Sequence, residues 1–284
     1  MRSKVAAIQM VSGGNVDENL ACAGRLVAQA SAQGAELVLL PEVFAVLEGG
    51  PMREFGEPQG RGKIQDFLSG LAARHEIILV GGTIPLTTRP GYSEGDADYL
   101  VEGDRVRPSS LVFDASGSRV ARYDKIHLFD VQVADEQTSY SESRSYEAGT
   151  ELVTLPTPLG LLGLSICYDL RFPEYYRALF HAGAEIVTVP AAFTYVTGKA
   201  HWKTLLRARA IENQCYIVAA NQGGRHNAKR VTWGHSMIID PWGTVLDEVT
   251  ESGEGFALAE VDLGRVREVR KNMPVIDQIK LRSQ

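Results

Sequence analysis

The chain has 284 residues, 44% of them apolar, and a formal net charge of −6, enough apolar material for one large core. Lys and Arg are scattered. The only basic crowding, Arg265-Val266-Arg267-Glu268-Val269-Arg270-Lys271, is interrupted by apolar residues and an acid, as on the exposed face of a C-terminal helix, so no nucleic-acid partner is expected. No apolar run approaches the roughly 18 residues that a membrane span needs. Cys22, Cys167 and Cys215 form no CxxC pair, which argues against a disulfide framework or zinc ribbon and for reduced thiols in the cytoplasm.

Strands and helices alternate along the chain. Lys4 to Met10 reads as a strand that begins at once, with no signal-peptide core. Asp17 to Gln33 reads as a helix capped by Asn15 or Asp17 and stopped by Gly34. A buried strand follows at Leu37 to Leu40, then a helix at Lys63 to His75 and a strand at Ile77 to Gly81. Later come a strand ending at Cys167, a helix from about Pro173 to Ala182 and a strand at Glu185 to Pro190. A helix over Ala200 to Asn213 then precedes a strand at Tyr216 to Ala220. Cys22, within the first helix, and Cys215, in the run that leads into the strand at Tyr216, read as small buried hydrophobes.

Two segments break the alternation in the same way. Around Asp114-Ala115-Ser116-Gly117 and Asp240-Pro241-Trp242-Gly243, an apolar run, an Asp-x-x-Gly turn and a second β-rich run spell a hairpin. One follows the first group of βα units and the other the second, which hints at two similar halves. The segments Arg89 to Arg107 and Val131 to Gly149 read as long loops within the same domain, spanning 1–284.

Three residues far apart in sequence share one setting. Glu42, Lys125 and Cys167 each stand in or just past a strongly apolar run, where a rigid sheet edge presents side chains. A thiol attacks a carbonyl as thiolate, and Phe172-Pro173-Glu174 starts a helix close enough to Cys167 for its partial positive charge to favour that form. Glu42, a carboxylate after buried apolar residues, suits a general base and then a general acid. Lys125 suits an oxyanion, with the backbone N–H of Tyr168 as a second donor. Taken singly, each has an ordinary alternative: a buried strand cysteine, a loop acid and a surface lysine. Of the six histidines, none stands in a Cys–His protease pattern, although His127 is close to Lys125. His226 and His235 lack a zinc-ligand pattern, and Gly81-Gly82 and Gly223-Gly224 lack a nucleotide-binding one, so neither metal nor cofactor is expected.

Leu40-Pro41-Glu42, Tyr123-Asp124-Lys125-Ile126-His127-Leu128 and Ile166-Cys167-Tyr168-Asp169-Leu170-Arg171-Phe172-Pro173-Glu174 together resemble the nitrilase, or carbon–nitrogen hydrolase, superfamily, from Val5 to the C-terminal region. The resemblance implies a four-layer α-β-β-α sandwich with internal pseudo-symmetry, acting without a cofactor. It implies a homodimer or higher even oligomer; the C-terminal segment from about 262 to 284 either packs on its own subunit or lies at the subunit interface. It further implies that Glu42, Lys125 and Cys167 are catalytic, that Glu142 supports Lys125 and substrate, and that Arg171, Phe193 and Thr194 contact substrate. Arg171 either holds a substrate carboxylate or pairs with a structural acid.

In Thr197-Gly198-Lys199-Ala200-His201-Trp202 and Gly234-His235-Ser236-Met237 the C-terminal half resembles the Nit branch, and the deaminated glutathione amidase type more than the ω-amidase type. The implied reaction splits a small carboxylate-bearing amide into α-ketoglutarate and cysteinylglycine. The alternatives are ω-amidase action on α-ketoglutaramate, hydrolysis of another small amide or nitrile, and a non-catalytic binding protein on the same fold. Three positions depart from the family pattern: Asp124 where a basic residue is common, Arg107-Pro108 where an aromatic-Asn pair is common, and Lys199 in place of a proline in a stretch expected to line the pocket.

Overall fold

The computed structural model describes residues 2–47 and 50–280. Its first half runs β1 (Arg2–Gln9), α1 (Val16–Ala32), β2 (Ala35–Leu39), α2 (Lys63–His75), β3 (Ile78–Val80) and β4 (Ile84–Leu86), then the hairpin β5 (Arg107–Phe113) and β6 (Arg119–Asp124). Two short strands, β7 (Asp130–Gln132) and β8 (Ser139–Ser141), form a ribbon of their own. The second half runs β9 (Thr154–Thr157), β10 (Gly160–Leu164), α3 (Pro173–His181), β11 (Ile186–Ala191), α4 (Tyr195–Asn213) and β12 (Tyr216–Asn221), then the hairpin β13 (Met237–Ile239) and β14 (Val245–Glu248). The chain returns through β15 (Gly255–Asp262) to α5 (Leu263–Asn272) and α6 (Val275–Gln278).

The expected two halves are present. In the first sheet β1, β2 and β3 are parallel, β15 lies antiparallel beside β1, and the β5–β6 hairpin lies antiparallel beside β3. In the second sheet β10, β11 and β12 are parallel, β9 lies antiparallel beside β10, and the β13–β14 hairpin lies antiparallel beside β12. Alternation along each strand builds the layers. Val5, Ala7, Leu37, Leu39 and Val112 face the second sheet, whereas Ala6, Ile8, Val38, Leu40, Leu111 and Phe113 pack under α1 and α2. Leu179, Trp202, Leu206 and Ala210 of α3 and α4 cover the far face of the second sheet. The result is the expected four-layer α-β-β-α sandwich, in which truncating a fully buried residue such as Leu39 to Ala costs about 2–5 kcal/mol.

Several local expectations are corrected. The strand before Cys167 stops at Leu164, and Cys167 opens a 3-10 turn, Cys167–Arg171. Helix α4 starts at Tyr195, not Ala200, because the Thr194 side chain caps it by accepting from Thr197 N. Of the two candidate caps for α1, Asn15 does the work, accepting from Asp17 N and Glu18 N. The segment expected as a loop over 131–149 contains most of the β7–β8 ribbon and a 3-10 turn at Glu142–Arg144. Within the single chain, Val266 and Val269 of helix α5 are buried and Arg270 donates to the carbonyls of Ala184 and Gln214, contacts that leave the expected subunit interface as it stood. Residues 281–284 of the segment expected at a subunit interface lie outside the described residues.

Candidate active site

Glu42 stands three residues beyond β2, where the backbone is pinned from several sides. Leu40 N donates to Val80 O, and Gln222 Nε2 donates to Glu42 O at 3.0 Å. Gly82 takes a positive φ against the Pro41 carbonyl, where a Cβ would lie 2.0 Å from that oxygen, so only glycine lets the two segments close. The Glu42 carboxylate is 5% exposed and both its oxygens are used: Oε1 accepts from Lys125 Nζ at 2.8 Å, and Oε2 accepts from Ala192 N at 3.0 Å. Ala192 follows β11, the strand that corresponds to β2 in the other half, so equivalent sheet ends of the two halves meet here.

Lys125 follows β6 and is fully buried. Its ammonium lies between Glu42 Oε1 and both oxygens of Glu142, at 3.0 and 2.8 Å. Burial alone would lower its pKa, but the Glu142 and Glu42 carboxylates outweigh it and hold the ammonium charged well above the usual lysine range. Glu142 is itself seated by Phe129 N, which donates to Oε2 at 2.8 Å.

The neighbouring residue, Asp124, points the other way and is also buried. It accepts from Arg107 Nη1 at 3.0 Å, from Arg122 Nε at 2.7 Å and from Ser109 Oγ at 2.6 Å. Arg107 also meets Glu147, which pairs with Arg89. Two departures from the family pattern, Asp124 and Arg107, are therefore one substitution in physical terms: an acid and its counter-ion. Lys199, the third, is exposed on α4, and the same helix turns Thr197 toward the cleft.

Cys167 lies in the left-handed region (φ 44°), a conformation that costs a non-glycine residue of order 1–3 kcal/mol and persists only where its surroundings enforce it. The residue is 8% exposed. The electrostatics at the thiol run against the expected pull toward thiolate. Burial, followed by the Glu42 charge, pushes the thiol well above its usual range, against the opposing pull of Lys125 and the Ala192 N–H. Helix α3 begins at Pro173 with Phe172 at its N-cap, five residues beyond Cys167. Tyr168 N belongs to the first turn of the 3-10 segment, whose N–H groups lack intrahelical acceptors.

The cleft that joins these groups is lined by Glu42, Glu142, Cys167, Tyr168, Arg171 and Phe193, with Thr194 and Thr197 at its rim. It continues past Glu42 and Glu142 into a side cavity of about 260 Å³ bordered by Val43, Met52, Tyr140 and Tyr146. All of the expected site residues thus converge. Arg171 lines the cleft, with its guanidinium over the Phe193 ring at 5.2 Å and against His201 Nδ1 at 3.2 Å. Phe129, Thr197 and Arg230 also line the cleft and were not singled out from sequence. Thr197 carried a signal, its place in the Thr197-Gly198-Lys199 stretch, and so did Phe129, which ends the apolar run around Lys125; Arg230 sits in loop sequence with none.

The histidine nearest the site, His127, turns away from the cleft to Asp169 Oδ1 at 2.7 Å and stacks on Phe172. His226 meets Ser12 O and Thr232, and His235 meets Glu248. Among the described residues no group of three or more His, Cys, Asp or Glu side chains is disposed to hold a metal ion, and no helix is long and apolar enough to cross a membrane.

Comparison with known proteins agrees with this geometry. A family model described as carbon–nitrogen hydrolase matches residues 4–271. A Yersinia enterocolitica protein named deaminated glutathione amidase is 40% identical over 96% of this chain and 92% of its own length. The Homo sapiens protein of the same name is 41% identical over 95% of this chain and 80% of its own length. The crystal structure of Saccharomyces cerevisiae Nit3, described as a member of branch 10 of the nitrilase superfamily, superposes with a TM-score of 0.84 at 30% identity, covering 99% of this chain and 97% of that one.

Proposed function

The chain belongs to the carbon–nitrogen hydrolase family, and from that premise we propose that it is a thiol amidase of the deaminated glutathione amidase type. The observation that carries the chemistry is the single buried ammonium of Lys125 shared by two carboxylates in the cleft that holds Cys167. A thiol attacking a carbonyl needs a base, and Glu42 is the buried carboxylate that lines the cleft beside Cys167, anchored by Ala192 N.

Cys167 Sγ bonds to the amide carbon while its proton passes to Glu42. The oxygen that gains charge is held by the Lys125 ammonium and the Tyr168 N–H. Collapse of this intermediate breaks the C–N bond. Glu42 returns the proton to the departing amine, leaving a thioester on Cys167. Water enters, gives a proton to Glu42, adds to the thioester through the same oxyanion and releases the acid, and the thiol is restored. Glu142 keeps Lys125 oriented and compensates its charge throughout.

For the substrate, the names of the relatives and the Arg171 guanidinium over Phe193 support an amide whose acyl arm ends in a carboxylate. The α-ketoglutaramyl amide of deaminated glutathione meets that description and yields α-ketoglutarate and cysteinylglycine. The second reading, ω-amidase action on α-ketoglutaramate, shares the acyl arm and differs only in releasing ammonia. Product formation on the two compounds in parallel, with Cys167→Ala as blank, separates them. Preference for deaminated glutathione is expected; preference for α-ketoglutaramate would transfer the chain to the second reading.

Cytoplasmic residence and pairing of subunits belong to the same proposal. The first is supported by three free cysteines and the second by the exposed apolar side chains of Ile211 and Trp242. Size-exclusion chromatography with light scattering tests the pairing.

A further inference from the structure

Asp169 is fully buried two residues beyond Cys167, yet it lies outside the cleft lining and takes no part in the steps above. Its carboxylate is surrounded by donors from two separate segments. Oδ2 accepts from Tyr123 Oη at 2.7 Å and from Ile166 N at 2.8 Å. Oδ1 accepts from His127 N at 3.2 Å and meets His127 Nδ1 at 2.7 Å. Tyr123 and His127 are the residues two before and two after Lys125, and Ile166 immediately precedes Cys167. One side chain thus ties both flanks of the lysine to the turn that carries the thiol.

The surroundings reinforce this tie. The His127 ring stacks on Phe172 at 3.7 Å between centroids, and Tyr175 packs against both Tyr123 and His127. Tyr175 in turn donates to Leu164 O at the end of β10. Burial and the Asp169 charge hold the Tyr123 phenol well above its usual range, so its proton stays in place to be donated. The Cys167 backbone needs external support to keep its positive φ, and the Ile166 N–H to Asp169 bond acts one residue away from it. The Lys125 segment comes from the first sheet and the Cys167 turn from the second, so no ladder of backbone hydrogen bonds fixes their separation.

We propose that Asp169 is a positioning residue that sets the distance and orientation between Lys125 and Cys167, with Tyr123 and His127 as its grips on the lysine side. The proposal rests on the reading of Lys125 as oxyanion stabiliser and Cys167 as nucleophile. A displacement of about 1 Å between such groups is worth on the order of 10²-fold in rate.

The test uses Asp169→Asn, which leaves one acceptor oxygen where Tyr123, His127 and Ile166 now share two, together with the milder Tyr123→Phe and His127→Gln. Turnover of deaminated glutathione, or of whichever amide the wild type accepts, is measured beside alkylation of Cys167 by iodoacetamide. Alkylation displaces iodide at carbon and creates no oxyanion, so it reports the thiol and its base without calling on Lys125 as an oxyanion donor. The expected result for Asp169→Asn is a kcat lower by on the order of 10²-fold, with KM and the alkylation rate each within about threefold of wild type. Tyr123→Phe and His127→Gln should each lower kcat by about tenfold with the same split. If Asp169→Asn does not fold, the two milder variants decide alone. Unchanged kcat in the folded variants, or alkylation falling in step with turnover, would overturn the proposal and leave Asp169 as a support of the turn only. An active Cys167→Ala control would instead overturn the underlying mechanism, so the two failures are told apart.

Discussion

Lys125 and Asp124 are adjacent in sequence, both are buried and both sit among opposite charges, but they serve different regions. Lys125 belongs to a group of one cation and two carboxylates open to a cleft. Asp124 belongs to a network of Arg89, Arg107, Arg122 and Glu147 in which every charge has a partner. The alternation of side chains where the strand ends sends one residue to each. The first group sets two carboxylates on one ammonium beside a thiol, an excess of negative charge suited to moving a proton. The second is closed and has the marks of a brace: Gly149 packs so tightly on it that a Cβ would lie 2.3 Å from Asp124 O. A buried charge is therefore informative about function only once its partners have been counted.

That contrast can be broken by mutation. The largest effect is expected at the cleft: Cys167→Ala should lower turnover by on the order of 10⁴-fold or more while the melting temperature stays within a few degrees. Steady-state assay and thermal melting together check it, and a large loss of stability would mean that the site residues also brace the fold. Next in size, Asp124→Ala takes the carboxylate from Arg122 and leaves Arg107 with Glu147 alone, and should destabilise the protein by about 3–5 kcal/mol, read by urea denaturation. Its kcat below the transition should stay within about tenfold of wild type. A loss of kcat comparable to that of Cys167→Ala would erase the distinction between the two regions.

A smaller effect sharpens the cleft side. Arg171→Gln should raise KM for a carboxylate-bearing amide by about 10- to 100-fold and leave a neutral small amide unaffected, because only the first loses a charge-assisted contact. The smallest effect concerns pH. Hydrogen bonds from Arg89, more than enough to offset burial, and those from Arg107 hold the Glu147 carboxyl down at about 2, against an ordinary value of 4.5. A depressed folded-state pKa gives stability that is complete above the unfolded value and disappears as pH falls through the folded one. Denaturation midpoints should therefore decline between about pH 4.5 and pH 2, and Glu147→Gln should flatten that decline.

How far all this was legible in the sequence depended on the range over which each signal acts. Strand alternation and helix caps are local, and they yielded the βα order, both hairpins and the strand-end settings of Glu42, Lys125 and Cys167. The start of α4 was missed because Tyr195-Val196-Thr197-Gly198 has poor helix propensity, and a Thr194 cap overrides it. The β7–β8 ribbon was missed because its strands are three residues long and polar. Glu142 was legible only through family resemblance, since an acid in an acidic loop has no local mark. The Arg107–Asp124 pair could not be read as a pair: its members are 17 residues apart and meet only through the register of β5 on β6. The sequence argument for a pull toward thiolate was incomplete for a similar reason. It weighed the nearby helix start and could not weigh Glu42, which lies far off in the chain and close in space.

The most direct measurement is rapid acid quench of the wild-type protein during turnover of deaminated glutathione, followed by intact-protein and peptide mass spectrometry. An acyl adduct on the Cys167 peptide, present during turnover and gone when substrate is exhausted, is the expected result. Turnover at full rate with no adduct on Cys167, and its persistence in Cys167→Ala, would contradict the account.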